Sequence, residues 1–480
     1  MFEAVQGIDW SWAREIIFIA YALTIVSIIG IVISENRNPV KSLAWVTVLL
    51  LLPMLGIVLY LFFGRNIRNQ RKLSRRYRRR LKKRAPRSSI NFRELNLPPE
   101  TLQLIRLAHS VGSAPIYNAS KVDVFVSGKE KFDSLKKDLL SAKKFINLEY
   151  YIFENDKIGT EISEILMKKA RSGVTVRVIY DHVGSFTVKS RFFKKMREAG
   201  ILIFPFFKVS FPQLGTRLNW RNHRKLCVID GTIGYLGGMN IADRYIDGGK
   251  KFASWRDTHV RVEGTVVSAL QYAFAVDWHF MGQPLIEEEF NADNNTDSNI
   301  SVQMLTSGPT SQWSNISYMF HKAICSARRR IYIQTPYFLP TDSLLKGLIT
   351  AALSGVDVRV LIPRKSDSHL LDNASASYIS ECLRSGIKIY FYEAGMLHSK
   401  LIIVDDDFVT IGSTNFDFRS FEHNFEGNLF FYSQEFTNKM LEIFREDLKQ
   451  STRVLPDAWS KRPLVRRAIE SVERLLSPIL

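Results

Sequence analysis

Cysteine is scarce in this 480-residue chain: Cys227, Cys325 and Cys382 stand apart, without a spacing that would hold zinc or frame a disulfide set. Buried thiols in a reducing compartment are therefore expected. The sequence also lacks a phosphate-binding glycine loop, a dinucleotide fingerprint and a His/Cys/carboxylate ligand set. Neither a nucleotide cofactor nor a bound metal is expected. Acidic residues are missing from one long stretch. Between Arg37 and Arg93 there are 16 Lys and Arg and no Asp or Glu, which leaves only +3 of the net charge of +19 for the rest of the chain. A protein that holds nucleic acid in a groove spreads its basic excess over its body. Here the excess is one local stripe, so no nucleic-acid partner is expected.

Two uncharged runs precede that stripe or interrupt it: IIFIAYALTIVSIIGIVI (16–33) and LAWVTVLLLLPMLGIVLYLFF (43–63), of 18 and 21 residues. As helices, each is long enough to cross a hydrocarbon core of roughly 30 Å. A cleaved signal peptide is disfavoured because Glu3, Asp9 and Glu15 outweigh Arg14. The expectation is a retained two-helix transmembrane hairpin joined by SENRNPVKS. Twelve of the basic residues follow it in RNIRNQRKLSRRYRRRLKKR (65–84). They place the N-terminus and the large C-terminal region on the cytoplasmic side of a cell membrane. The same run suits anionic headgroups, although it reads equally as a topology signal alone.

Beyond a polar connector at 85–115, strand-like and helix-like segments alternate, as in an α/β protein. The order then repeats. KFINLEYYIF (144–153) matches RRIYIQTPYF (329–338), SGVTVRVIYD (172–181) matches SGVDVRVLIP (354–363), and EAGILIFPF (198–206) matches RSGIKIYFY (384–392). The expected organisation is a hairpin at 1–64, a basic segment and connector at 65–115, one lobe at 116–290 and a second at 291–480. The polar NADNNTDSN (291–299) is the seam. Two long copies with a polar motif near the end of each suggest a pseudo-twofold and a shared site. The first copy carries about eleven extra residues within FKVSFPQLGTRLNWR (207–221). These read either as a lip that admits acyl chains or as a loop folded onto its own core. The terminal VRRAIESVERLLSPIL is amphipathic, and suits either a membrane surface or packing on the body.

The polar motif is NHRKLCVIDGTIGYLGGMN (222–240) in one copy and LHSKLIIVDDDFVTIGSTN (397–415) in the other. Strand alternation puts His223 and Lys225, and likewise His398 and Lys400, on one face about 7 Å apart. Asp230 and Asp405 close the strands, where they can shape a turn or support the site. Gly237, Gly238, Gly412 and Ser413 leave room for a ligand to approach the backbone, and Asn240 and Asn415 can donate to phosphate oxygens. Two imidazoles, two ammonium groups and two amides around a pseudo-twofold suit a tetrahedral anion attacked on one side and released on the other. One neutral His can attack while the opposite one serves as general acid.

These residues, spaced H-x-K-x4-D-x6-G-[SG]-x-N in both copies, resemble the phospholipase D superfamily motif. The resemblance implies a duplicated α-β-α-β-α sandwich, a covalent phosphohistidine and an acidic residue orienting each His. Asp257 in SWRDTHVRVE and Glu426 in HNFEGNLFFY are the matching acids. Within the superfamily the chain is most similar to bacterial cardiolipin synthases, through NRNPVKSLAW, FFGRN, NHRKLCVIDG, WRDTHVRVEG, QTPYFLP and RLLSPIL. Such enzymes turn two phosphatidylglycerols into cardiolipin and glycerol, a phosphodiester exchange that needs no nucleotide. The implied partners are phosphatidylglycerol and other anionic phospholipids of the membrane. The family's usage implies that His223 is the nucleophile and His398 the acid. Alternatives are a hydrolytic phospholipase D or another transphosphatidylase and, on weaker grounds, a nuclease of the superfamily.

Overall fold

Apolar β-branched runs bounded by glycine and charged turns set the architecture, because only a sheet covered on both faces buries every residue of a strand such as FINLEY. The computed structural model describes residues 11–34, 39–60, 95, 97–208, 220–286, 288 and 300–477. The basic run 65–84, the seam 291–299 and residues 209–219 of the expected lip lie outside the described residues.

Both lobes fall within one compact unit. In the first lobe the strands are β1 (Ile116–Ala119), β2 (Lys121–Ser127), β3 (Phe145–Tyr150), β4 (Thr175–Asp181), β5 (Leu202–Phe206), β6 (Lys225–Ile229), β7 (Ile233–Gly237) and β8 (Trp255–Glu263). In the second they are β9 (Ile300–Ser307), β10 (Arg330–Gln334), β11 (Phe338–Leu339), β12 (Asp357–Pro363), β13 (Lys388–Tyr392), β14 (Met396–Leu397), β15 (Leu401–Val404), β16 (Phe408–Gly412), β17 (Phe416–Asp417), β18 (Glu426–Tyr432) and β19 (Ser451–Arg453). The spatial order β2-β8-β7-β6-β3-β4-β5 in one sheet is matched by β9-β18-β16-β15-β10-β12-β13 in the other. The repeat read in the sequence is thus a repeat of topology.

The N-terminal helices form a separate unit: α1 (Ser11–Ser34), α2 (Pro39–Leu51) and α3 (Pro53–Leu59). Ile28, Val32, Leu49 and Tyr60 pack together there, while Ile16, Phe18, Leu23, Val26 and Leu43 are exposed. The run expected as one helix over 43–63 is broken. Leu52 leaves the helical region at φ −129° and ψ 65°, since the ring of a following proline disfavours helical backbone in the residue before it. Among the described residues, no helix is long and apolar enough to cross a membrane.

The stretch read as a polar connector contains α4 (Pro99–Gly112). Its Leu104, Ile105 and Ala108 are buried in the core of the second lobe beside Ile116 of β1 and Phe320. β1 pairs antiparallel with β9. A segment placed ahead of the first lobe therefore completes the second, and the boundary expected at residue 116 does not separate the sheets. The remaining helices flank the sheets: α5 (Gly128–Ser141), α6 (Lys157–Arg171), α7 (Ser190–Glu198), α8 (Arg244–Asp247) and α9 (Val266–Phe280), then α10 (Asn315–Ser326), α11 (Asp342–Leu353), α12 (His369–Arg384), α13 (Phe418–Glu422), α14 (Gln434–Lys449), α15 (Pro456–Ser460) and α16 (Leu464–Arg474). In α6, Asp156 caps the first turn by accepting from the Gly159 amide at 2.9 Å, and Ile158, Ile162 and Leu166 recur every fourth residue on the buried face.

Candidate active site

Each motif histidine is placed by the opposite lobe. Ahead of β15, the two-residue β14 pairs in parallel with Trp255 and Arg256 of β8, and the His398 amide donates to the Arg256 carbonyl at 2.7 Å. Ahead of β6, Asn222 makes the corresponding parallel bridge to Phe425, and the His223 amide donates to the Phe425 carbonyl at 2.9 Å. In both cases the next residue of the partner strand is an acid. Glu426 therefore meets His223, with Nδ1 at 3.0 and 3.2 Å from its two oxygens, and Asp257 meets His398 at 2.7 Å. The acids implied by resemblance are present but exchanged, each serving the histidine of the other lobe.

With Nδ1 occupied by a carboxylate, the other nitrogen, Nε2, is the atom left to react. His223 is additionally flanked by Tyr151, edge-on at 5.1 Å between ring centroids. His398 lies 5.2 Å from the Trp255 ring by the same measure. Burial lowers the pKa of His223, against the pull of Glu426. Burial, together with the Lys400 ammonium beside it, pushes His398 down to about 4, against the pull of Asp257. In the unliganded site both imidazoles are therefore neutral near pH 7.

Lys225 and Lys400 are buried, and each turns its ammonium back onto the carbonyl of its own motif histidine. Nζ of Lys400 also comes within 2.7 Å of His398 Nδ1. Burial lowers both lysines; Glu426 and Asp257 raise Lys225 while Lys400 lowers it further. Two partly stripped cations that repel one another make a site that gains when a phosphodiester anion enters. Burial opposes the charge on Glu426 and Asp257, yet both remain below their ordinary values because the histidines and lysines around them favour the ionised form.

The strand-end acids expected among the catalytic set are elsewhere. Asp230 stands at φ 53° and Asp405 at φ 52°, at the far ends of β6 and β15 from the histidines. The Asp230 carboxylate accepts from the amides of Lys143, Lys144 and Phe145 at 2.7 to 2.9 Å. Asp405 accepts from those of Arg328, Arg329 and Arg330 at 2.7 to 3.2 Å. Each closes a turn and ties down the start of β3 or β10, which is the physical reason an acid occupies that motif position.

The glycines also act on packing instead of opening the backbone to a ligand. A Cβ at Gly237 would stand 2.5 Å from the His259 Cα, and one at Gly412 would stand 2.3 Å from the Gly427 carbonyl oxygen. At Gly238 it would stand 2.0 Å from Asp257 Oδ1. Ser413, the matching residue, is buried and donates its hydroxyl to Glu426, so that hydroxyl supports the acid and does not face a phosphate. Asn240 accepts from the Ile152 amide at 3.1 Å and donates to the Tyr245 hydroxyl. The Asn415 carbonyl oxygen is buried and, among the described residues, has no hydrogen-bond partner.

Several site residues carry no mark in the motif. Asn424 donates to Glu426 at 3.1 Å, and Arg224 donates to the Glu426 carbonyl at 3.0 Å while pairing with Asp277. Arg221 pairs with Asp181 at 3.3 Å, the Asn222 amide donates to Asp181 at 2.9 Å, and its side chain donates to Glu149. These fix the segment that carries His223. Phe206, Phe207, Phe280 and Trp220 cluster with Phe425 at the described ends of the longer loop. The density of aromatics around 206–220 was the available signal; the partners were not.

The profile of the family described as cardiolipin synthase with a PLD-like domain matches residues 135–278 and 320–448, one segment in each lobe. The chain belongs to this family. A phospholipase D-nuclease N-terminal profile matches 21–65. The chain is 39% identical to a cardiolipin synthase of Geobacillus sp. (strain WCH70), over all of this chain and 95% of the other. It is 39% identical to the major cardiolipin synthase of Bacillus subtilis (strain 168), over 96% of this chain and 98% of that one. Among solved structures, the phosphatidylserine synthase of Haemophilus influenzae superimposes with a TM-score of 0.59 at 14% identity, covering 79% of this chain and all of that one. At that identity the likeness is one of fold.

Proposed function

We propose that this cardiolipin synthase family member joins two phosphatidylglycerols into cardiolipin and free glycerol through a phosphatidyl-histidine. The observation that carries the reading is the crossed pairing of His223 with Glu426 and His398 with Asp257. Two oriented imidazoles, each with a buried lysine folded onto its own backbone carbonyl, provide for attack and departure at one phosphorus, without an external energy source.

Nε2 of neutral His223 attacks the phosphorus of the first phosphatidylglycerol, and the bond from phosphorus to the headgroup glycerol breaks. His398, which gains a proton when the phosphodiester anion offsets Lys400, gives that proton to the departing glycerol oxygen. The imidazole bonded to phosphorus is cationic, with its Nδ1–H held by Glu426. The terminal hydroxyl of a second phosphatidylglycerol then returns a proton to His398 and attacks phosphorus. The P–N bond breaks, and both histidines return to their starting state. Lys225 and Lys400 offset charge that grows on the non-bridging oxygens.

The second half of the proposal is location. We propose that the hairpin expected over 1–64 lies in the lipid of a cell membrane, with the lobes on the cytoplasmic side, as the basic run 65–84 favours. Exposed Ile16, Phe18, Leu23, Val26 and Leu43 support a lipid environment. Purified full-length protein supplied with phosphatidylglycerol as its sole lipid tests the chemistry. Cardiolipin and glycerol in equal amounts are expected. Phosphatidic acid with glycerol would identify a hydrolase instead.

A further inference from the structure

α16 is an amphipathic helix attached by its polar side. Successive residues turn by about 100° around the axis, so Leu464, Val465, Ala468, Ile469, Val472, Leu475 and Leu476 fall on one arc of about 140°. All seven are exposed, Leu464 at 76%, Val465 at 73% and Leu475 at 77%. The opposite side carries buried Glu470 and Ser477. Glu470 accepts from Arg462 at 2.7 Å through both oxygens and pairs with Arg466 at 3.3 Å. Arg474 lies over the Tyr378 ring of α12 at 4.1 Å and pairs with Glu381 at 3.7 Å. A helix packed for stability alone turns its apolar stripe inward; this one turns it outward.

We propose that the apolar arc of α16 docks into the interface of an anionic phospholipid bilayer. The charge pattern selects that occupant. Lys461, Arg466 and Arg467 are exposed beside the arc, whereas the acids of the helix are the buried Glu470 and the half-buried Glu473. An apolar face flanked by cations, with its carboxylates turned inward, suits anionic headgroups over acyl chains. A second copy of the chain fits less well, since seven side chains on one short helix fall far below the roughly 20–30 residues per partner of a stable protein interface. The choice of anionic lipid leans on the proposed substrate, but contact between α16 and lipid does not depend on which product forms.

The test uses the full chain in vesicles of phosphatidylglycerol and phosphatidylcholine. In a Cys325→Ser background, where Cys227 and Cys382 remain buried, Val472→Cys carries an environment-sensitive fluorophore, and Lys346→Cys, exposed on α11, carries it as a control. Quenching by lipids brominated along the acyl chain is expected at position 472 and not at 346. Val465→Ser combined with Val472→Ser should raise the apparent KM on vesicles several-fold while leaving kcat on detergent-dispersed substrate unchanged. A label at 472 quenched no more than the control overturns the proposal, as does a label shielded only as protein concentration rises without lipid, which assigns the arc to a second copy. Cardiolipin formation followed in the same samples separates failure of this docking from failure of the catalytic reading.

Discussion

At the scale of single residues, the site is governed by what each carboxylate does for an imidazole across the lobe boundary. Glu426→Gln removes the anion that holds Nδ1–H of His223, so kcat should fall by roughly 10²–10⁴, with less phosphatidyl-enzyme in a rapid quench. Asp257→Asn should act at glycerol departure instead. The two lobes support their acids differently. In the second lobe the Ser413 hydroxyl holds Glu426; in the first, the space of that side chain is taken by Asp257, which accepts from the Thr258 amide at 2.7 Å. Gly238→Ser, which gives the first copy the serine that stands at position 413 of the second, should therefore displace Asp257 and lower turnover by roughly 10², with His398 losing its partner. Turnover equal to wild type would show that the motif, and not this packing, sets the identity of the residue.

The depressed His398 makes a pH prediction. Its folded pKa of about 4 lies below the ordinary 6.5, so between those values the unfolded chain binds a proton that the folded one refuses. The stability tied to this group is present above pH 6.5, and is lost as pH falls towards 4, on the order of 3 kcal/mol. His398→Gln should flatten that part of the melting temperature against pH, and an unchanged slope would count against a buried neutral imidazole.

At the scale of elements, the turns behind the motif strands are separable from the chemistry. Asp230→Ala or Asp405→Ala strands three backbone donors and leaves alanine at positive φ, which should cost about 1–3 kcal/mol of stability. Turnover per folded molecule should remain near wild type; a loss of kcat at full stability would return these acids to the chemistry. Elements also show where the sequence was legible. Strand alternation around His223 and Lys225, repeated at His398 and Lys400, marked the reactive face because side-chain direction is a local property. The exchange of acids was not legible, because Asp257 meets its partner across 141 positions and Glu426 across 203, a matter of sheet assembly. α4 was overlooked because its apolar residues, Leu102, Leu104, Ile105, Leu107, Ala108 and Val111, follow a basic stretch and a pair of prolines, and the core that receives them is formed by strands far along the chain. The break at Leu52 is legible in the sequence through Pro53, because the residue before a proline is disfavoured in the helical region.

At the scale of the molecule, duplication with exchange makes the lobes interdependent. A fragment spanning 291–480 lacks β1, α4 and Asp257, and one spanning 1–290 lacks Glu426. Each should be inactive alone, and co-expression should recover activity only where the halves associate, as read by cardiolipin formation and co-purification. Activity in either fragment by itself would contradict a site shared between lobes. With two lysines offsetting the phosphodiester charge, turnover by the intact chain is also expected to withstand a chelator. Complete loss with EDTA, restored by one particular divalent ion, would require a metal in the chemistry.

The most direct test joins these scales. Full-length enzyme is mixed with phosphatidylglycerol, quenched in acid within one turnover and digested, and the histidine that carries the phosphatidyl group is located by mass spectrometry. The adduct is expected on His223, to be reduced in Glu426→Gln, and to be absent in His223→Ala. An adduct on His398 with none on His223 would reverse the two roles, and cardiolipin formed at the wild-type rate by His223→Ala would contradict a covalent route through this site.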